Sequence, residues 1–219
     1  NLGISLDQGA WVITSYAVAE AICVPLTGWL SQRFGAVRCF MLAMVGFGLF
    51  SFLCGSSVTL GMLVACRIGQ GLCGAPLMPM SQTLMLRVFP PEKRAMAMGL
   101  WAMTTLLGPA LGPIIGGAIS DNASWHWIFL VNLPLGVLVF IAALFTVPET
   151  RGEKKRPGID VDGALLSAIG FGALVFAVVE GPDLGWWTPK SDLTVFGWVW
   201  PKDAAISAVP VAFAVAAIA

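Results

Sequence analysis

An all-α, multi-spanning membrane protein is the fold class this chain of 219 residues predicts, and three observations lead to it. Hydrophobic residues make up 58% of the sequence and charged residues 11%, with a mean hydropathy of +0.85, which leaves too little polar surface to wet a soluble domain of this size. The apolar residues gather into stretches close to the roughly 20 residues that one bilayer crossing requires. Basic residues fall on alternate connections between those stretches, as membrane orientation demands.

In chain order, the first span is expected over residues 11–30, after a polar stub that ends in Asp7 and Gln8. The chain opens on Asn1 with no basic region ahead of its first apolar run, and this reads as a fragment lacking sequence at both ends rather than as a signal peptide. Further spans are expected over 39–57, 60–86, 95–118, 127–147 and 163–179, and a seventh, cut short, over 204–219. The fourth is the most unusual. Gly108, Gly112 and Gly116 recur every fourth residue, so they share one helix face and let a neighbouring backbone approach it closely. Pro109 and Pro113 remove amide donors and bend the same helix, which lipid tolerates only where protein or water satisfies the freed carbonyls.

Charge sets the orientation. Arg33 and Arg38 follow the first span, Arg87, Lys93 and Arg94 the third, and Arg151, Lys154, Lys155 and Arg156 the fifth, so nine of the twelve basic residues share one side. That side is expected to be cytoplasmic, which puts the N-terminal stub outside. Trp11, Trp125, Trp127, Trp186, Trp187, Trp198 and Trp200 all fall at the opposite helix ends, where amphipathic rings favour the interface.

The chemistry the sequence lacks is equally informative. Cys23, Cys39, Cys54, Cys66 and Cys73 are scattered through apolar segments without a CxxC or Cys/His cluster, and read as small buried hydrophobes. His126 is the sole histidine and has no partners for metal or triad chemistry, so no metal ligand or catalytic residue is assigned. No phosphate-binding loop is present, which argues against a nucleotide-driven pump.

Two ionisable residues fall deep inside the expected spans, Glu20 and Arg67. Each lies roughly 10 to 14 Å below the outer surface at about 1.5 Å per residue, so their depths permit a contact without establishing that the two faces meet. The competing reading is a buried ion pair or hydrated charge that only fixes helix packing. Between the first two spans, a short connection presents Gly28, Leu30, Arg33, Gly35 and Arg38, with glycine suited to a tight reversal and arginine to helix-terminal carbonyls.

Three groups of residues together resemble the major facilitator superfamily, and within it the fourteen-helix drug:proton antiporter family of EmrB/QacA-like multidrug exporters. Gly99, Gly108, Gly112, Pro113, Gly116 and Gly117 match that family's antiporter motif, G-x8-G-x3-G-P-x2-G-G. Leu63, Arg67, Gln70 and Gly71 match its fourth-helix motif, in which the arginine is implicated in proton coupling. Gly28, Leu30, Arg33, Gly35 and Arg38 match the loop between its helices two and three, although Gln32 stands where the general pattern has aspartate. Phe89 to Arg94 and Trp125 to Pro134 are also similar to that branch, and the likeness covers nearly all of residues 8–150.

The resemblance implies a fragment of the major facilitator fold comprising helices 2 to 8 of about 14. Residues 1–148 would form the N-terminal bundle without its first helix, 149–162 a cytoplasmic connection, and 163–219 two additional helices between bundles. It implies proton-coupled export of amphipathic drugs or other small organic compounds by alternating access, with Glu20 and Arg67 coupling protonation to movement. The implied setting is the inner (plasma) membrane, with a periplasmic adaptor and an outer-membrane channel as partners and no cofactor or nucleic acid. A channel or assembly subunit with purely structural glycine packing is the alternative. A membrane-embedded enzyme would need clustered His, Asp or Ser chemistry that the sequence does not display.

Overall fold

The computed structural model describes residues 6–147, 161–195 and 198–219. Among the described residues, six helical stretches are long and apolar enough to cross a bilayer: Gly9–Phe34, Ala36–Gly55, Leu60–Val88, Pro91–Asn122, His126–Thr146 and Asp162–Leu184. Large side chains lie bare on their outer faces, Leu106 at 72% and Phe145 at 85% exposure, which suits lipid as the surrounding solvent.

The first span joins helix α1 (Leu6–Cys23) to α2 (Thr27–Phe34) through a single 3₁₀ turn at Val24–Leu26. Pro25 explains the turn, because it brings no N–H to the helical ladder; the Thr27 hydroxyl then bonds the Cys23 carbonyl at 3.3 Å. The residues expected as a loop after position 28 are instead mostly helix. The reversal is confined to Gly35, whose φ of +93° is open to glycine, and α3 (Ala36–Gly55) starts at the next residue.

The third span divides into α4 (Leu60–Gly74) and α5 (Leu77–Val88) where Pro76 interrupts amide donation. Thr59 caps α4 by accepting from the Met62 amide at 3.2 Å. Helix α6 (Pro91–Asn122) is 32 residues long, with Pro91 and Glu92 in its first turn and Pro109 and Pro113 inside it. At about 1.5 Å per residue it is longer than a perpendicular crossing requires. The fifth span comprises α7 (His126–Leu130) and α8 (Asn132–Thr146), and the sixth is α9 (Val161–Leu184), which runs five residues beyond the expected end at 179.

Beyond α9, Gly185 turns the chain at φ +85°. Strands β1 (Leu193–Val195) and β2 (Trp198–Trp200) then pair antiparallel, with Leu193 opposite Trp200 and Val195 opposite Trp198. This hairpin was not expected from a segment read only as an aromatic connection. Helix α10 (Ala208–Ile218) follows, capped by the Ser207 hydroxyl, which accepts from the Val209 amide. The connection expected over 149–162 lies almost wholly outside the described residues.

Helix α4 packs between α1 and α3, α3 also meets α7 and α8, and α9 lies against α1 and α10. Two buried apolar clusters result. One gathers Cys54, Leu63 and Cys66 with Val12, Trp125 and Phe129 around them; the other gathers Ala177, Leu184, Leu193 and Val209 beneath Trp11 and Phe213.

Candidate functional site

The polar residues of the described bundle converge on Arg67, which α4 carries half-buried between α1 and α3. Its Nε donates to the Val12 carbonyl at 3.0 Å and its Nη1 to Gln70 Oε1 at 2.8 Å. The guanidinium plane sits over the Tyr16 ring at 4.1 Å and near the Phe129 ring at 5.7 Å, so two aromatic faces help hold the charge in a poorly hydrated place.

Gln70, only 1% exposed, extends the network away from Arg67. Its Nε2 donates to Ser51 Oγ at 3.0 Å, Ser51 in turn donates to the Phe129 carbonyl at 2.9 Å, and Asn132 Nδ2 donates to Ser51 Oγ at 3.1 Å. One chain of hydrogen bonds thus runs from the backbone of α1 through α4 and α3 to α7 and α8. Among the described residues, no buried side-chain nitrogen or oxygen lacks a partner, as a low-dielectric interior requires.

The fourth-helix motif closes around this network. Leu63 is 3% exposed and packs in the cluster with Cys54 and Cys66, one turn before Arg67. Gly71 lets α1 approach: a Cβ placed there would lie 2.6 Å from the Tyr16 carbonyl oxygen and 3.0 Å from Ala19 Cβ. Backbone cannot step aside as a flexible side-chain tip can. Gly71→Ala is therefore expected to destabilise the purified protein by about 1–3 kcal/mol, seen as a lowered thermal transition. Gly61→Ala, where a Cβ would meet nothing within 4 Å, should leave that transition in place.

Glu20 and Arg67 are near neighbours without being an ion pair. Among the described residues no N···O contact within 4.0 Å joins them, although the Glu20 backbone packs against Gly71, one turn past Arg67 on α4. Arg67 spends its hydrogen bonds on Val12 and Gln70 instead, and Glu20 remains half-buried one helical turn beyond Tyr16.

The other two motifs are placed differently from expectation. In the first connection, Gly28 and Leu30 lie within α2, Arg33 stacks on Trp29 at 5.6 Å and Phe34 at 5.9 Å, and Leu30 accepts from the Cys39 thiol at 3.3 Å. Arg38 sits in the first turn of α3 and Gly35 supplies the reversal. The antiporter motif lies along α6, but its glycine face is open. A Cβ at Gly99, Gly108, Gly112, Gly116 or Gly117 would meet nothing within 4 Å, so the close backbone neighbour expected from the stripe is not supplied by the described residues.

Four further polar residues were not singled out by sequence reasoning. Tyr16, Ser51 and Asn132 complete the Arg67 network; the visible signal was a polar side chain inside an apolar run. Glu180 was missed because the sixth span was ended at 179, yet it is buried in α9 and accepts a hydrogen bond from Thr14 of α1.

A half-buried guanidinium held by apolar helices long enough to cross a membrane marks a candidate functional site, because a charge at that depth is costly to keep. The chain superposes on the crystal structure of the peptide transporter POT with a TM-score of 0.62 at 21% identity, covering 86% of this chain and 40% of that one. The chain belongs to the Major Facilitator Superfamily, whose sequence profile matches residues 1–219.

Within that superfamily it is 47% identical over 192 residues to the multidrug export protein EmrB of Escherichia coli K12, covering 87% of this chain and 37% of that protein. It is 42% identical over 195 residues to the fatty acid resistance protein FarB of Neisseria gonorrhoeae, covering 89% of this chain and 38% of that protein. The EmrB of Haemophilus influenzae is 42% identical over 186 residues, with 85% and 36% covered. The chain therefore spans a little over a third of the length of these relatives. It is a multi-pass membrane protein of the Major Facilitator Superfamily.

Proposed function

We propose that the full-length protein exports amphipathic organic compounds by proton-coupled alternating access. The observation that carries this reading is Arg67, bound to the α1 backbone and to Gln70, with the Glu20 backbone of α1 packed against Gly71 one turn further along α4. A shift of α1 against α4 would change the Arg67 to Glu20 separation and with it the ease of holding a proton on Glu20. In this reading the loop residues Gly28, Leu30, Arg33, Gly35 and Arg38 fix the α2 to α3 reversal, and the antiporter glycines seal α6 against a neighbour. Relatives named for multidrug export and fatty acid resistance support a small, largely apolar substrate.

Residues 1–148 are assigned to the N-terminal bundle, 149–162 to a cytoplasmic connection, and 163–219 to two helices between bundles. The protein is placed in the inner membrane with its N-terminal stub outside, and a periplasmic adaptor and outer-membrane channel complete the export path. The deciding experiment is flux in vesicles that carry the full-length protein. An imposed proton gradient should drive accumulation of a fluorescent lipophilic dye above equilibrium; equilibration without accumulation would indicate a channel instead.

Orientation has its own test. In a cysteine-free background, single cysteines at Ser56 or Ser191 should react with an impermeant maleimide added outside, whereas one at Glu92 should react only after permeabilisation. The reverse pattern would invert every role given above.

A further inference from the structure

We propose that Glu180 is a positioning residue for transport, and that its hydrogen bond with Thr14 makes α1 and α9 one moving body. Glu180 is 7% exposed inside the span Asp162–Leu184, Thr14 is 2% exposed in α1, and the Thr14 hydroxyl donates to Glu180 Oε1. Among the described residues no salt-bridge contact within 4.0 Å reaches this carboxyl group. The threonine is its anchor.

The seam around that bond runs along α1 from Trp11 to Ile22. Near the N-terminal end of α1, Trp11 packs on the cluster formed by Ala177 and Leu184 of α9, Leu193 of the hairpin and Val209 of α10. Further along, Gly172 brings α9 close, since a Cβ there would lie 3.0 Å from Ile22 Cγ1 and 4.0 Å from Val18 Cγ1. Apolar contacts of this kind set no register, because one methyl group packs about as well as the next. A buried polar pair does set one: sliding would strip the carboxyl group of its donor where no water stands in for it.

Helix α1 packs on both α4 and α9, and the α4 side holds it less exclusively. At 3.6 residues per turn Thr14 points about 160° away from Tyr16, whose ring lies under Arg67. Arg67 bonds α1 itself through the Val12 carbonyl. Backbone carbonyls recur at every residue of a helix, so the guanidinium can pass from one to the next as α1 shifts. The Thr14 hydroxyl has no such repeat, and its neighbour Ser15 is directed to the Val12 carbonyl. Displacement of α1 is therefore taken up against α4, while α9 travels with it. What the displacement serves rests on the export reading given above; the pairing of the two helices does not.

The test uses vesicles carrying the full-length transporter in a cysteine-free background, with Ile22→Cys and Gly172→Cys introduced together, a pair within disulfide reach. Closing the link with copper phenanthroline should leave proton-driven dye accumulation within about twofold of the reduced protein, as expected of two helices in one rigid body. Glu180→Leu, which removes the acceptor, should slow closure and lower the maximal accumulation rate about tenfold each, with the half-saturating dye concentration unchanged. Glu180→Gln keeps an oxygen for Thr14 and should restore most of the rate. Closing the link should also rescue Glu180→Leu, because the disulfide supplies the register that the hydrogen bond gave. Should Glu180→Leu not fold, Thr14→Val, which removes the donor, carries the same expectations. Accumulation lost on closing the link, or closure as fast without the hydrogen bond as with it, would overturn the proposal. Failure of the link to rescue would overturn it in favour of a proton- or substrate-binding role for Glu180. Closure rates are read without transport, so absence of accumulation before any substitution would sink the export reading while closure still judged the pairing.

Discussion

Arg67→Ala is expected to abolish proton-driven dye accumulation in vesicles carrying the full-length transporter, lowering the initial rate about a hundredfold or more. Deleting the guanidinium leaves the Val12 carbonyl without its 3.0 Å donor and Gln70 Oε1 without its 2.8 Å donor. It also removes the cation that sits 4.1 Å above the Tyr16 ring. Each neutral acceptor left without its donor costs about 1–3 kcal/mol, and where the transport-competent arrangement alone bears that loss, about 2.7 kcal/mol corresponds to a hundredfold change in rate. Arg67→Lys should recover little. An ammonium carries the charge but cannot donate from a planar fork to Val12 and Gln70 while stacking on Tyr16.

A structural role alone would also slow transport, so the decisive measurement is the coupling between residues. Dye accumulation and proton flux would be followed in Arg67→Ala, Glu20→Gln and the double variant. If one charge-coupled element contains both, the double variant should lose little beyond the worse single one. Additive losses would make Arg67 a packing residue. Full activity in Glu20→Gln would move the proton site away from α1.

The spans were legible because hydropathy and length are local properties, and each of the six crossing helices lies where an apolar run was visible. Their ends were less so. The stretch from Gly28 to Phe34 reads as a glycine-flanked basic loop, yet only Gly35 has a left-handed backbone, because a helix tolerates Gly28, Arg33 and the polar residues between them without difficulty. Glu180 was lost for the same reason: an expected end at 179, five residues short of the observed one, left a buried carboxylate just outside the sixth span. The Arg67 motif was visible through its spacing, but its partners Ser51 and Asn132 were not. Serine and asparagine inside apolar helices carry no sign of which neighbouring helix they will meet, and Ser51 and Asn132 are 81 residues apart in sequence. Nor could matched depth distinguish an ion pair from the observed arrangement, in which Arg67 bonds a backbone carbonyl and an amide while Glu20 stays close by.

Gly112→Leu is expected to separate folding from transport more cleanly than any substitution in the Arg67 network. Gly112 lies midway along α6 with nothing within 4 Å of the position a Cβ would take, and the same holds for Gly108 and Gly116 one turn to either side. Within these residues a larger side chain therefore meets no resistance, and replacing glycine in a helix interior gains roughly 1 kcal/mol of helix propensity. The thermal transition of this bundle should stay level or rise. Transport should nevertheless fail if the open glycine face is the surface on which a further helix of the full-length transporter seats, because Leu would push that helix outward and open a leak between them. Membrane insertion by fractionation, thermal stability, and dye accumulation with its proton leak would be measured side by side. Normal insertion and stability with lost accumulation and raised leak would assign the stripe to the seal. Wild-type accumulation in Gly112→Leu would mean that α6 presents its glycines to lipid, and the antiporter motif would then owe its spacing to something other than packing.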